Sequence, residues 1–275
     1  MGSGPGMPTA YRWRADRGDV YDRAMPARFS FEAVSAHDYD ELRPGYAPEA
    51  VGWAADRGGL SSGSTIVDLA AGTGQLSRRF AALGMDTVAI EPAANMRATL
   101  ASRLPSVRIL DGTAEAIPLP DRVADAVVVG NAFHHFDRSR AFAEIRRVLR
   151  PDAVLAIFWA WPVEDRSMQE GALRTIDELV ESTRARTDIA TAYRSWTEPP
   201  SPARGFHPFQ RREFPLTHVL PSARLADLYA TSSDIASLPA AARDRLVGEI
   251  RDLARALPPT LHLPSRSVVD LCNRR

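Results

Sequence analysis

The stretch Thr65–Ser77, TIVDLAAGTGQLS, constrains the fold more than any other part of the chain. Thr65–Leu69 is a short apolar run with Asp68 near its end, the pattern of a buried parallel strand. Five small residues follow without a break: Ala70, Ala71, Gly72, Thr73 and Gly74. From Gln75, the positions Leu76, Arg79, Phe80 and Leu83 recur at helical spacing. A strand, a small-residue turn and a helix N-terminus together make a site for a nucleotide-like ligand. The backbone can approach closely there, and unpaired N–H groups face the ligand. Taken alone, the loop also fits a dinucleotide fingerprint with one glycine replaced, or a tight turn that binds nothing.

The next segment discriminates. Thr87–Ile90 reads as a second strand, ending at Glu91, seventeen positions after Gly74. An acidic residue at the end of the second strand can accept hydrogen bonds from both hydroxyls of a ribose. Pro92 follows, then a helix over Ala93–Leu104 carrying Met96, an apolar side chain able to lie against an adenine face. Further on come Gly112-Thr-Ala-Glu-Ala-Ile-Pro-Leu-Pro-Asp121, Asn131-Ala-Phe-His-His-Phe-Asp137 and Ile145-Arg-Arg-Val-Leu-Arg-Pro151. With Asp68–Gly74 and Glu91–Met96, these five motifs resemble the class I S-adenosylmethionine-dependent methyltransferases, in particular the small-molecule group. An upstream segment, Ser35–Ala47 (SAHDYDELRPGYA), extends the resemblance to roughly Ser35–Trp159.

The resemblance implies an α/β, Rossmann-like, seven-stranded and mostly parallel sheet flanked by helices, with an antiparallel C-terminal hairpin. Here an N-terminal helical arm is added. It also implies S-adenosyl-L-methionine as cofactor. By it, Asp68, Ala70, Gly72, Thr73 and Gly74 form the cofactor loop, and Glu91, Pro92 and Met96 hold the adenosine. Asn131 and Ala132 line the loop after the fourth strand, and Tyr39 and Arg43 help hold the methionine end. An arginine suits a carboxylate through a bidentate pair, although Arg43 also reads as an ordinary surface ion-pair residue. Two positions depart from the family pattern. The family usually has Gly at Ala70; Ala fits if φ stays negative or the ligand leaves room for one methyl group. It commonly has Asp at Thr113, facing the adenine amine. Thr113 supplies only a hydroxyl, which shifts part of that role to the Ala114 backbone or to Glu115.

In chain order, Met1–Pro8 is rich in Gly, Pro and Ser. Tyr11–Phe31 sets aromatics among charges, with Asp19 as a helix cap, and reads as an arm on its own domain, a lid, or a reach toward a neighbouring subunit. Residues 1–34 are therefore a flexible N-terminus and arm or lid. Residues 35–160 are the cofactor-binding core, and 161–275 complete the sheet and cap the substrate. Within the core, helices are expected over Pro48–Arg57 and Arg140–Leu149, the latter capped by Asp137 and stopped by Pro151. Strands are expected over Val107–Leu110, Ala124–Val129 and Ala153–Trp159. Beyond it, helices are expected over Ser167–Arg186, from Ser222 to Thr231, and over Leu238–Leu257. Two extended segments, Phe209–Leu220 and Ser265–Cys272, fit the hairpin.

Charge is balanced at 34 basic and 34 acidic residues, which implies no nucleic-acid surface. Every basic residue is Arg, which excludes Schiff-base and lysine-base chemistry. The lone Cys272 permits no intrachain disulfide. No run approaches the ~18 apolar residues of a membrane helix, and no leader is visible. A cytoplasmic enzyme without membrane association is expected, and the arm could join a homo-oligomer.

Methyl transfer is an in-line displacement that depends mainly on positioning, and often on removing a proton from the acceptor. His134 and His135 are the candidate bases, His135 taken as nearer the cleft; the alternative is that neither does acid–base work. Tyr21, Phe136, Trp159 and Trp161 are candidates for an aromatic substrate wall, or for simple packing. No metal-ligand spacing is present, so no metal site is expected. The expected activity is methyl transfer to oxygen or carbon of a small, largely apolar metabolite of secondary metabolism. The alternatives are a cyclase or rearrangement enzyme on the same fold, with aromatics stabilising a cation, and a cofactor-binding module without catalysis.

Overall fold

The computed structural model describes residues 31, 34–162, 171–185, 200–201 and 203–275, with only the backbone at 161–162 and 184–185. The arm up to Ser30, with Tyr21, lies outside the described residues. Seven strands form one sheet: β1 Thr65–Leu69, β2 Asp86–Ile90, β3 Arg108–Leu110, β4 Ala124–Gly130, β5 Leu149–Pro162, β6 Gln210–Pro221 and β7 Thr260–Asn273. Their order is β3-β2-β1-β4-β5-β7-β6. Strands β1 to β5 pair in parallel, and β7 runs antiparallel between β5 and β6. The mostly parallel Rossmann-like sheet with its antiparallel C-terminal hairpin is therefore present. Chain reversal at β1/β4 makes the switch point at which open α/β sheets bind ligands.

Helices α1 Ala36–Leu42, α2 Pro48–Gly58, α3 Ser77–Ala81, α4 Ala94–Arg103 and α5 Arg138–Val148 surround the core of the sheet. The apolar strands β1 and β4 need cover on both faces, and the two faces bury separate clusters. On one, Ala141, Phe142, Ile145 and Val148 of α5 pack on Val67, Val127, Leu155 and Val268. On the other, Ala50, Val51 and Ala54 of α2 and Phe80 of α3 pack on Ile66, Ala126, Val128 and Phe158.

The helix expected from Gln75 to Leu83 is shortened to α3, because a turn occupies Thr73–Leu76 before regular helix begins. The fifth strand begins earlier than expected, at Leu149, passing Pro151 and a left-handed Asp152 (φ 62°) in a register shift against β4. Helix α1 was not expected as a helix; its signal is Ser35, whose hydroxyl accepts the Asp38 N–H at 3.2 Å.

The remaining elements are α6 Ala172–Ala185, α7 Leu225–Ala230, α8 Ser233–Ala236 and α9 Ala240–Ala254. They share a third cluster with Ile176, Val180, Leu225, Ile235, Leu246 and Ile250 at its centre. The β6–β7 hairpin joins the two regions: Arg211 pairs with Asp270 within the sheet, while Leu220 pairs with Leu261 among the helices. Ser222 does not cap a helix; it opens a single 3-10 turn, Ser222–Arg224, ahead of α7. Among the described residues, no helix is long and apolar enough to cross a membrane.

Candidate functional site

Registers Leu69↔Ile90 and Leu69↔Val129 bring the ends of β1, β2 and β4 to one level. A small cavity opens there, lined by Asp68, Ala70, Ala71, Gly72, Thr73, Gln75, Gly130 and Asn131, and bordered by Tyr39, Arg43 and Tyr46. The loop after β1 is made by three left-handed residues, Ala70 (φ 53°), Gly72 (φ 58°) and Gly74 (φ 87°). They serve different ends. A Cβ on Gly74 would sit 2.9 Å from Leu100 Cγ and 3.0 Å from Leu104 Cδ1, so this glycine lets β1 and α4 close up. Among the described residues, a Cβ on Gly72 would meet only the Tyr39 ring, 4.0 Å away, and Gly72 lines the cavity. Ala70 does not keep the negative φ that would make Ala unstrained; it holds the glycine conformation of the family pattern at the expense of left-handed strain.

Two buried oxygens at the cavity, Asp68 Oδ1 and Thr73 Oγ1, have no hydrogen-bond partner among the described residues. The other Asp68 oxygen accepts from Ser77 Oγ at 2.6 Å. Burial pushes the Asp68 carboxyl up to about 7, against the hydrogen bonds from Ser77 that favour its charged form. Glu91 is buried; its Oε2 accepts the Gly72 N–H and its Oε1 the Ala93 N–H, both at 2.8 Å. The carboxylate thus braces the loop from β2.

Arg43 reaches away from the β1 loop. Its Nε donates to Thr231 Oγ1 and its Nη2 to Ser232 Oγ, both at 2.9 Å, and its guanidinium carbon lies 5.5 Å from the Tyr39 ring centroid. Gln75 ties α1 to the loop by donating to the Asp40 carbonyl at 3.2 Å. Tyr46 closes the far wall against Gly130, where a Cβ would stand 2.4 Å from its hydroxyl. Sequence reasoning missed Gln75 and Tyr46. The signal for Tyr46 was its place three residues after Arg43 in the same segment.

The other candidates divide between the cavity and its surroundings. Asn131 (φ 50°) lines the cavity and accepts the Ala160 N–H at 2.9 Å, linking β4 to β5. Ala132 and Ala114 are buried in the sheet's core cluster, Thr113 pairs with Ala116 in an isolated bridge, and Glu115 accepts the Asp137 N–H at 2.9 Å. Met96 packs with Val34, Ala36 and Ala93, bordered by Phe31 and Tyr39, and Pro92 is exposed. Phe31 links this cluster to His135 at 5.7 Å between ring centroids. His134 lies 3.8 Å from His135 and stacks on Trp159 at 5.8 Å. Burial pulls His135 down to about 4, and burial together with His135 and Arg138 holds His134 well below the ordinary imidazole range. Trp159 is core; its indole N–H donates to Asp270 Oδ2 at 3.2 Å. Phe136 is partly buried against Phe133. The Trp161 backbone pairs with Arg266 at the end of β5. Among the described residues, no three His, Cys, Asp or Glu side chains gather as a metal site.

Residues 67–157 match the methyltransferase-domain family. A methyltransferase of Mycobacterium tuberculosis, itself uncharacterised, is 34% identical over 224 residues, which cover 80% of this chain and 84% of that protein. A structure described as that of a type II methyltransferase from Anaeromyxobacter dehalogenans superposes with a TM-score of 0.63 at 23% identity, over 85% of this chain and 97% of the other. The [4+2]-cyclase SpnF superposes with a TM-score of 0.51 at 16% identity, over 89% of this chain and 94% of its own.

Proposed function

The chain belongs to the class I S-adenosylmethionine-dependent methyltransferases, and on that premise we propose that it transfers a methyl group from S-adenosyl-L-methionine to oxygen or carbon of a small, largely apolar acceptor. The observation that carries the cofactor reading is the pair of buried, unpartnered oxygens, Asp68 Oδ1 and Thr73 Oγ1, at a cavity beside Glu91. Buried polar atoms without partners are expensive, and a ligand with its own donors would satisfy both. Asp68 offers a carboxylate to a cationic centre, Glu91 offers lone pairs to ribose hydroxyls, and the Gly72 face leaves room for the ligand. When bound, the cofactor supplies a methyl group on a positively charged sulfur.

The chain's own part is positioning. Tyr39, Arg43 and Tyr46 line the cavity together with the β1 loop and would border a bound cofactor. The Phe31–Tyr39–His135 edge gives an acceptor an aromatic wall. His135, neutral above about pH 5 by its depressed pKa, can accept a hydrogen bond from an acceptor hydroxyl. The balanced charge of 34 against 34 supports a small-molecule acceptor over a nucleic acid. A cyclase has less support, because Trp159, part of its aromatic set, is fixed in the core by Asp270.

Isothermal titration calorimetry with S-adenosylhomocysteine tests the cofactor reading. Micromolar binding is expected for the wild type, weakened more than about tenfold in Glu91→Ala, since hydrogen bonds to a charged acceptor contribute about 1.5–3 kcal/mol each. Absence of wild-type binding would sink the proposal. With candidate acceptors, a product 14 mass units heavier (roughly one CH₂, as methyl replaces hydrogen) identifies transfer, and a product of unchanged mass identifies cyclisation.

A further inference from the structure

We infer that Thr231 and Ser232, in the link between α7 and α8, are positioning residues of the cofactor site, acting through Arg43 and making the helical region of α6–α9 part of that site. The inference rests on the reading of the cavity as a cofactor site and goes beyond it. The two residues lie far from the β1 loop in sequence and belong to the region with its own apolar core. Yet they hold one whole edge of the Arg43 guanidinium, Nε on Thr231 Oγ1 and Nη2 on Ser232 Oγ, each at 2.9 Å.

The hydroxyls are set for this role by their own partners. Thr231 Oγ1 donates to the Leu228 carbonyl at 2.7 Å, so its single hydrogen is committed and its lone pairs are left for Arg43. Ser232 stands at the N-cap of α8, where a serine hydroxyl ordinarily accepts a helix N–H. It makes no such bond; its oxygen is turned to Arg43 instead. Both side chains are buried, Thr231 at 2% and Ser232 at 8% exposure, and the backbone beneath them is fixed by Thr231 N–H to Asp227 O and Ser232 N–H to Tyr229 O.

An arginine has five N–H donors in a rigid fork. With the Nε/Nη2 edge held by hydroxyls, the end-on edge, Nη1 with the second Nη2 hydrogen, is the one left for a planar carboxylate. Arg43 lines the cavity, so holding one edge orients the other. Without the two hydroxyls the side chain would regain its rotamers, and the ordering would fall to the ligand.

The test is calorimetric binding of two ligands, S-adenosylhomocysteine and 5′-methylthioadenosine, which lacks the amino-acid end. The proteins are wild type, Thr231→Val/Ser232→Ala, Arg43→Ala and the triple variant. The double variant is expected to lose about tenfold in affinity for S-adenosylhomocysteine, with 5′-methylthioadenosine unchanged. In the Arg43→Ala background the same two changes should have no further effect. The conservative Thr231→Ser/Ser232→Thr variant, which keeps both hydroxyls, should bind like wild type. Equal loss for both ligands, further loss in the triple variant, or affinity within twofold of wild type would overturn the inference. Failure of the wild type to bind either ligand would instead overturn the cofactor reading beneath it.

Discussion

Ala70 and Asp68 sit two residues apart and carry opposite kinds of strain. Ala70 takes a left-handed φ of 53°, which disfavours any residue with a Cβ. Ala70→Gly should therefore raise stability by about 1 kcal/mol, less the extra chain entropy of glycine, read as a higher denaturation midpoint with cofactor affinity kept or improved. Asp68 stores its strain as a displaced titration, its carboxyl lifted to about 7 by burial. Between the unfolded carboxylate value and about 7, the folded protein holds a proton that the unfolded chain has released. This group's contribution to stability therefore falls as pH rises through that window. Binding a cationic centre favours the charged carboxylate and reverses the preference. S-adenosylmethionine affinity should thus weaken as pH drops below about 7, with proton release on binding. Calorimetry in buffers of different ionisation enthalpy would read that release, and Asp68→Asn should abolish it. At this scale the sequence was informative about residue type and silent about conformation. The Ala70 methyl was legible, but its positive φ was not; the loop is held by Ala71 N–H donating to the Ile90 carbonyl and Gly72 N–H donating to the Glu91 carboxylate.

Among elements, the hairpin shows where legibility ended. The extended segments that became β6 and β7 were visible, but the buried network across them was not. Asp270, 0% exposed, accepts from Arg211 through both oxygens, at 2.7 and 2.8 Å, and from the Trp159 indole. Trp159, a candidate wall for substrate, is held instead as a strut between β5 and β7. Asp270→Ala should destabilise the protein by about 1.5–3 kcal/mol, because the Arg211 guanidinium and the Trp159 indole each lose their hydrogen bonds to this fully buried carboxylate. Chemical denaturation would measure this, and Arg211→Met/Asp270→Leu should recover much of the loss. Long-range pairs of this kind join residues 59 and 111 positions apart, beyond any local pattern.

Among the described residues, the sheet region and the helical region of apolar packing are joined by the β6–β7 hairpin and by α1. Arg224 pairs with Asp38 at 2.6 Å, and Arg43 holds Thr231 and Ser232, so α1 docks on the helical region while bordering the cavity. Ile250, fully buried at the centre of that region, tests how independent it is. Ile250→Ala should cost about 2–5 kcal/mol locally. Hydrogen exchange should then accelerate in α6, α7 and α9 well before β1, β4 or α5.

The sequence by itself determined the sheet, the loop after β1 and the acid at the end of β2. Each depends on neighbours within a few residues: an apolar strand needing cover on both faces, small residues at a turn, a carboxylate closing a strand. Tertiary structure decided the rest. It shortened α3, placed Trp159 in the core, set Glu115 on Asp137 N–H, and turned Arg43 toward hydroxyls 188 and 189 positions away. The physical reason is that a side chain's partner is set by which buried donors and acceptors must be satisfied once the chain has closed on itself, and that inventory exists only in three dimensions.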